Sequence, residues 1–307
     1  MTRQETPPLH RKARRMAWRK ARQRLLPYMF VLPQLSLFLV FMFFPLGYAL
    51  FISFHDWDMV GQPTFIGVAN FVRLGNDHVF WFALRNTLVY VAGTVPLSIG
   101  AGLLLASALN RPMRGRSIFR SVFFLPVVVS AVVTALAATW IFNDNYGLLN
   151  RLLIFIGVAP VNWLSSPRWS MVSLILTTIW LRLGFCMTIY LAALQTIPAA
   201  LYEAARIDGA NKLQLFFTVT IPMLRPTTLF LTIICVIYSF HVFDLIFVMT
   251  GGGPGYSTIV LVQYIYNMAF QTSEMGYACA IGMALFALIL FFTIVRWATS
   301  RRSEVSA

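Results

Sequence analysis

Residues 203–222 read EAARIDGANKLQLFFTVTIP, a polar, turn-punctuated stretch set between two strongly apolar ones. Charged residues make up 11% of the chain and hydrophobic ones 59%, against about 25% charged in an ordinary soluble domain. A chain so poor in charge does not collect polar residues here by accident of composition. The stretch predicts two short helices with a glycine hinge. Pro198 suits a first helical turn, where its missing N–H costs nothing. Gly209 can take the left-handed conformation that ends a helix. Beyond it Leu213, Phe216, Phe217, Ile221 and Leu224 recur at helical spacing as one apolar face, until Pro222 and Pro226 punctuate the chain. Glu203 stands beside Ala204 and Ala205, a low-profile surface that another chain can approach closely.

Outward from this stretch the chain is a succession of apolar runs. A helix needs about 20 residues to cross the hydrocarbon core. Six runs are long enough, at about 28–54, 84–109, 119–142, 170–195, 226–249 and 275–297. The expected fold class is therefore all-α, a polytopic membrane protein with six transmembrane helices. It divides into a basic tail (1–27), one membrane domain (28–298) containing a polar loop at 196–225, and a short C-terminal tail (299–307). The first run is expected to be a retained helix. It is longer than the apolar core of a signal peptide, and no small-residue cleavage site follows it.

Charge sets the expected orientation. With both termini inside, lysine and arginine number nine in the N-terminal tail, four at 110–120, three in the 203–225 loop and three at the C-terminal end. The outer segments hold four: Arg73, Arg85, Arg151 and Arg168. This is a strong positive-inside asymmetry. It also accounts for the net charge of +14 without a nucleic-acid partner, since the surplus is spread over every inner segment. The one concentrated patch, Arg11–Arg24, reads as an orientation signal lying on anionic headgroups. The outer segments 55–83 and 143–169 are too short for separate domains; Trp163 and Trp169 suit an interfacial belt. Gly251–Gly253 and Pro254 read as a helix stop, and 255–274 as a partly apolar re-entry carrying Tyr264, Ile265, Tyr266 and Phe270.

Several spaced words then agree in order. Glu203-Ala204-Ala205, Gly209 and Val219-x-Ile221-Pro222 resemble the "EAA" loop of permease subunits in ATP-binding-cassette importers. Tyr146-Gly147-Leu148-Leu149-Asn150, Leu194-Gln195-x-Ile197-Pro198, and Phe243-Asp244 followed by Thr250-Gly251-Gly252-Gly253-Pro254 extend the resemblance to the sugar-importer branch, the maltose and glycerol-phosphate permeases. The resemblance covers roughly 28–298. It implies a type I importer transmembrane domain with a cytoplasmic helix-turn-helix coupling loop, in the bacterial cytoplasmic membrane. It further implies an assembly with a second homologous permease, two ATPase subunits and an extracytoplasmic solute-binding protein, all in membrane lipid. In that assembly Glu203 would be the polar anchor on the ATPase, Ala204 and Ala205 the close-contact surface, and Gly209 the bend, with Asp208 and Pro222 in the same motif. The large outer domain of the maltose member is missing.

The chain carries no visible catalytic apparatus of its own. Its three lysines, Lys12, Lys20 and Lys212, fit no phosphate-cradling G-x-x-x-x-G-K-[S/T] loop. ATP and magnesium therefore belong on partner ATPase subunits, and this chain is expected to bind no cofactor. The four histidines (His10, His55, His78, His241) are dispersed, so no metal site is expected. Cys186, Cys235 and Cys279 all lie in apolar runs and read as packing residues.

The informative polar groups are those within the spans, where a charge costs at least ~2.5–3.5 kcal/mol on insertion scales. Arg182 lies near the middle of the fourth span, and Asp244 toward the outer end of the fifth. Two readings of Arg182 stay open: an ion pair with Asp244, or a hydrogen-bonding fork for solute hydroxyls or an anionic group. Thr178, Arg182 and Phe185 share one helical face, with Leu181 at its border. Cys235, Tyr238, Ser239 and Val242 form another, with Asp244 off the stripe. In the maltose permease the sugar cavity lies on the corresponding faces, so these nine residues are the expected solute pathway. Positions where that relative uses polar contacts fall on Val127, Ala131, Cys235 and Val242, which points to a different or smaller ligand, or to one held mainly by the partner permease. Two other classes compete: an ion-coupled secondary carrier of a small polar solute, for which only Asp244 is an intramembrane acid, and a membrane-embedded enzyme, for which no catalytic cluster is visible.

Overall fold

The computed structural model describes residues 28–111 and 113–304, with side chains to 295. The basic tail 1–27 and residues 305–307 lie outside the described residues. In chain order the first elements are α1 (Tyr28–Ile52), a two-residue hairpin β1 (His55–Asp56) and β2 (Thr64–Phe65), α2 (Ala69–Asn76) and α3 (His78–Leu109). Next come a bent pair, α4 (Arg116–Val128) and α5 (Ala131–Ile141), then the short α6 (Leu148–Phe155) and the long α7 (Pro167–Leu194). The 203–222 stretch forms α8 (Ala199–Ile207) and α9 (Lys212–Met223). The chain ends with α10 (Arg225–Phe240), α11 (Asp244–Met249), α12 (Leu261–Tyr266) and α13 (Met275–Glu304).

Among the described residues four helices are individually long and apolar enough to cross a membrane: α1, α3, α7 and α13 from Met275 to Val295. Two bent pairs, α4 with α5 at 104° and α9 with α10 at 66°, raise the count to as many as six. Two expected spans are therefore not single rods. The run 119–142 breaks because Pro126 sits in the last turn of α4 and Val129 and Ser130 are extended. The run 226–249 breaks after Phe240, and Asp244 begins a separate helix. Others are longer than expected: α3 starts at His78 and α7 at Pro167, each with an N-terminal device, the Asp77 cap or an N1 proline.

The centre of the bundle is the packing of α3 along α7. A Cβ at Gly102 would lie 2.4 Å from the Cβ of Cys186, so only glycine allows these backbones to approach so closely. Around this seam lie three apolar clusters. One joins Ile99 and Ala106 to Met187, Tyr190 and Leu231. A second gathers Tyr90, Ala135, Leu174 and Ile246, and a third Phe80, Phe240, Tyr264 and Ile281. By contrast α1 buries only Ile52 among its 25 residues, and its apolar surface faces away from the chain.

At the end of the bundle opposite α8 and α9, two polar locks hold the connecting segments. Asn150, 2% exposed, satisfies both ends of its amide. Its Nδ2 donates to the carbonyls of Asp144 and Val161, and its Oδ1 accepts from Val161 N and the Trp163 indole N–H. Trp163 thus works as a packing post against Phe142 and Trp169. The second lock is Asp77. Its carboxylate caps α3 through Val79 N at 2.8 Å and accepts from the phenols of Tyr264 and Tyr277, each at 2.5 Å. Beside it Arg73 lies 4.0 Å over the Tyr277 ring and pairs with Glu274 at 2.5 Å. The segment 255–274 is thereby pinned between α3 and α13.

Burial by itself would raise the Asp77 pKa, but the two phenols and the N–H groups of Val79 and Phe80 outweigh it and hold the carboxyl below its usual range. A depressed folded-state pKa gives stability that is present above the unfolded value of about 3.9 and is lost as pH falls through the folded one. Asp77→Ala is expected to cost about 1–3 kcal/mol at pH 7 by stranding two phenols. It should also flatten the acid limb of the stability profile below about pH 4. Thermal unfolding in detergent at neutral and acid pH checks both, and an unchanged midpoint at pH 7 would show that the lock is idle.

Candidate functional site

The helix–turn–helix is built from local signals. Pro198 sits at the N-cap of α8 with φ −59° and ψ 131°, one residue before the position expected of it. The helix ends in a paired C-terminal motif: Gly209 N donates to Arg206 O at 3.0 Å, and Ala210 N to Ala205 O at 2.9 Å. That closure requires the positive φ of +85° found at Gly209. Asn211 and Gln214 then form a reciprocal cap that opens α9, with bonds of 2.9 and 2.7 Å. A hydrogen bond of 3.1 Å between Tyr202 Oη and Thr220 Oγ1 ties the two helices together.

The expected apolar face of the second helix is divided. A π turn at Phe216–Thr220 inserts an extra residue per turn and rotates the C-terminal part of the helix. Leu215, Thr220 and Leu224 are buried, whereas Leu213 is 69% and Phe217 62% exposed. The result is an outward apolar surface. None of the nine residues of α8 is buried; Leu201 and Ile207 are exposed. Glu203, Ala204, Asp208 and Gly209 are exposed beside them, and Ala205 and Pro222 are half-buried. Behind this surface a cleft of about 510 Å³ separates the helix–turn–helix from the end of α3, with Arg111, Arg206 and Lys212 among its lining residues.

The second candidate region lies where α7 faces α10. The nine residues expected to share it do not. Thr178 is buried, its hydroxyl 2.5 Å from Tyr90 Oη on α3. Ser239 is buried against Thr94 at 3.0 Å, and Cys235 against Cys186 at 3.8 Å between the sulfurs. These three serve the α3–α7–α10 core. Periodicity places Cys235 and Ser239 on one stripe with Tyr238, but α10 turns the pair toward α3 and α7 and leaves Tyr238 exposed. Leu181, Phe185 and Val242 are half-buried and pack against the apolar clusters.

Arg182 does not pair with Asp244. Among the described residues the one ion pair is Arg73–Glu274, at the far end of the bundle. Asp244 is exposed at the start of α11. The Arg182 guanidinium instead lies 5.1 Å from the centroid of the Tyr238 ring and donates one long hydrogen bond, 3.4 Å, to Cys235 O. Most of its five N–H donors remain available, and a stacked arginine–tyrosine edge can offer both a fork and an aromatic platform. Sequence reasoning missed a further pair. Arg116 and Arg120 entered only the charge count, although their spacing of four places them on one helix face.

The chain is thus a helical membrane protein that presents a polar and apolar helix–turn–helix outward and, on an interior helix, a cation with no acid partner among the described residues. Residues 98–303 match the family described as "Binding-protein-dependent transport system inner membrane component", and the chain belongs to that family. It is similar to the trehalose/maltose transport system permease protein MalF of Thermococcus litoralis, at 35% identity over 277 residues, 90% of this chain and 94% of that one. It is likewise similar to the lactose transport system permease protein LacF of Rhizobium radiobacter, at 36% identity over 283 residues, 90% of this chain and 94% of that one. Among solved structures it resembles a chain of a bacterial ABC transporter involved in the import of the acidic polysaccharide alginate. There the TM-score is 0.80 at 28% identity, over 94% of this chain and 99% of the other.

Proposed function

We propose that this chain is a permease subunit of an ATP-driven, binding-protein-dependent carbohydrate importer, supplying half of the path for a sugar or related polyol or glycerol-phosphate. The observation that carries this reading is α8: a helix with no buried residue, presenting Glu203 and Ala204 beside exposed Leu201 and Ile207. Apolar surface at a helix–turn–helix is unfavourable in water and calls for a partner. The relatives named as sugar permeases support the cargo class. In this reading α4 with α5 crosses once and α10 with α11 makes the fifth crossing, giving six spans with both termini and the helix–turn–helix in the cytoplasm.

ATP and magnesium reside on two ATPase subunits, which receive α8 in a groove. A second permease completes the path, and an extracytoplasmic solute-binding protein delivers the cargo, an arrangement supported by the alginate importer solved with its periplasmic protein. Glu203 anchors the contact, Ala204 and Ala205 let the partner come close, Gly209 with Asp208 sets the bend, and Pro222 fixes the return into α10. Arg182, Phe185 and Tyr238 are the residues best placed to meet solute, since each retains some exposure. Thr178, Cys235 and Ser239 act behind them as supports, with Leu181 and Val242 as packing at the border.

The test is uptake into proteoliposomes holding the assembled complex, with the ATPase partner's nucleotide site intact or disabled. Uptake is expected to stop when that site is disabled. Uptake that continues on an ion gradient alone would favour a secondary carrier and overturn the proposal.

A further inference from the structure

We infer that the groove between α4 and α7, at the end of the bundle that carries the helix–turn–helix, is a seat for an oxyanion: a carboxylate or phosphate group brought by a molecule outside this chain. Arg116 and Arg120 stand one turn apart on α4, and both are half-buried. In each, Nε and Nη2 are buried and have no hydrogen-bond partner. A guanidinium cannot shed its proton, so these are charged donors left without an acceptor. Their proximity adds repulsion, since like charges four apart on a helix disfavour one another.

Nothing among the described residues supplies the missing charge. The single ion pair is at the opposite end. The acids described at this end, Glu203 on α8 and Asp208 just after it, are exposed. The arginines also lie beside a close contact of α4 with α7. Gly184 brings the two backbones together so closely that a Cβ there would lie 2.2 Å from Phe123 O. A buried charge without a partner is strongly destabilising, whereas one met by a well-oriented anion is tolerated.

The groove has room for that anion. Arg120 lines a cleft of about 380 Å³ with Ser121, Phe124, Thr188 and Gln195. The Arg120 guanidinium offers a fork that matches a carboxylate or phosphate, with Arg116 one turn away on the same helix face; Gln195 and Ser121 add neutral donors, and Phe124 gives an apolar wall. Basic pockets between membrane helices take anionic headgroups on these terms, and an anionic solute presents the same oxygens. The seat is separate from Arg182, which is engaged with α10, and it does not depend on which solute the importer carries.

The experiment uses the full chain purified in detergent, with two arms. One measures retention of phosphatidylglycerol against phosphatidylcholine by native mass spectrometry. The other measures the shift in unfolding midpoint with inorganic phosphate or galacturonate against chloride at equal ionic strength. Binding is expected in at least one arm, and the pair Arg116→Gln and Arg120→Gln should weaken it at least ten-fold. The exposed pair Arg114→Gln and Arg225→Gln should leave it within two-fold. Binding in the lipid arm assigns a headgroup, and binding in the soluble arm assigns a free anion. Should the glutamine pair fail to accumulate, Thr188→Leu fills the cleft while keeping both cations and should give the same loss. No anion binding to the wild type in either arm, equal weakening by the two arginine pairs, or unchanged binding in Thr188→Leu would overturn the seat.

Discussion

Ala204→Trp is expected to lower solute uptake by the assembled transporter at least ten-fold while leaving the chain itself as stable as the wild type, within about 0.5 kcal/mol. Ala204 is exposed on a helix that buries none of its residues. A bulky side chain there has no core to disturb and no neighbour in the chain to displace. Any effect must therefore pass through a partner that approaches closely at that point, which is the role proposed for the alanine pair. Gly209→Val makes the complementary test. It forces a β-branched residue into a conformation with φ +85° and should splay α8 from α9. Uptake at the wild-type level in Ala204→Trp, with the complex assembled, would remove α8 from the coupling path.

The second large effect is expected at Arg182. Because the guanidinium has no acid partner among the described residues, Arg182→Leu strands no buried charge, and the chain loses only a ring contact of about 0.5–2 kcal/mol and one long hydrogen bond of 3.4 Å. Removing a cation from mid-span also relieves an insertion cost of at least ~2.5 kcal/mol. The folded chain should therefore accumulate as well as the wild type or better. Solute-stimulated ATP hydrolysis and uptake by the complex should nonetheless fall at least ten-fold. If both persist with unchanged solute dependence, Arg182 is a structural fork between α7 and α10, and the pathway lies on other residues.

The helix–turn–helix is legible residue by residue because its instructions are short in range. A glycine at the C′ position and an Asn–Gln cap each act within four residues, and Gly209 and Asn211 do what their types predict. The apolar face of α9 departs from expectation for an equally specific reason. Five residues of π helix shift the phase, and nothing in a 3.6-residue count announces them. The interior sites are less legible still. Thr178 and Ser239 sit on the stripes that periodicity assigns, yet Tyr90 and Thr94 of α3 claim both hydroxyls. No count along α7 or α10 reveals a partner some 90 or 145 residues away.

By itself the sequence determined that this is a mostly helical membrane protein with a polar, turn-punctuated loop at 196–225. Hydrophobic length, charge asymmetry and capping are properties of contiguous residues. Only the tertiary structure decided which apolar runs are single rods and which are bent. It also decided that Arg182 meets Tyr238 rather than Asp244, and that Arg116 and Arg120 have no acceptor among the described residues. Those outcomes depend on how far each helix is rotated about its axis and where it crosses its neighbours. Close packing at Gly102 and Gly184 sets that geometry, and no local pattern encodes it.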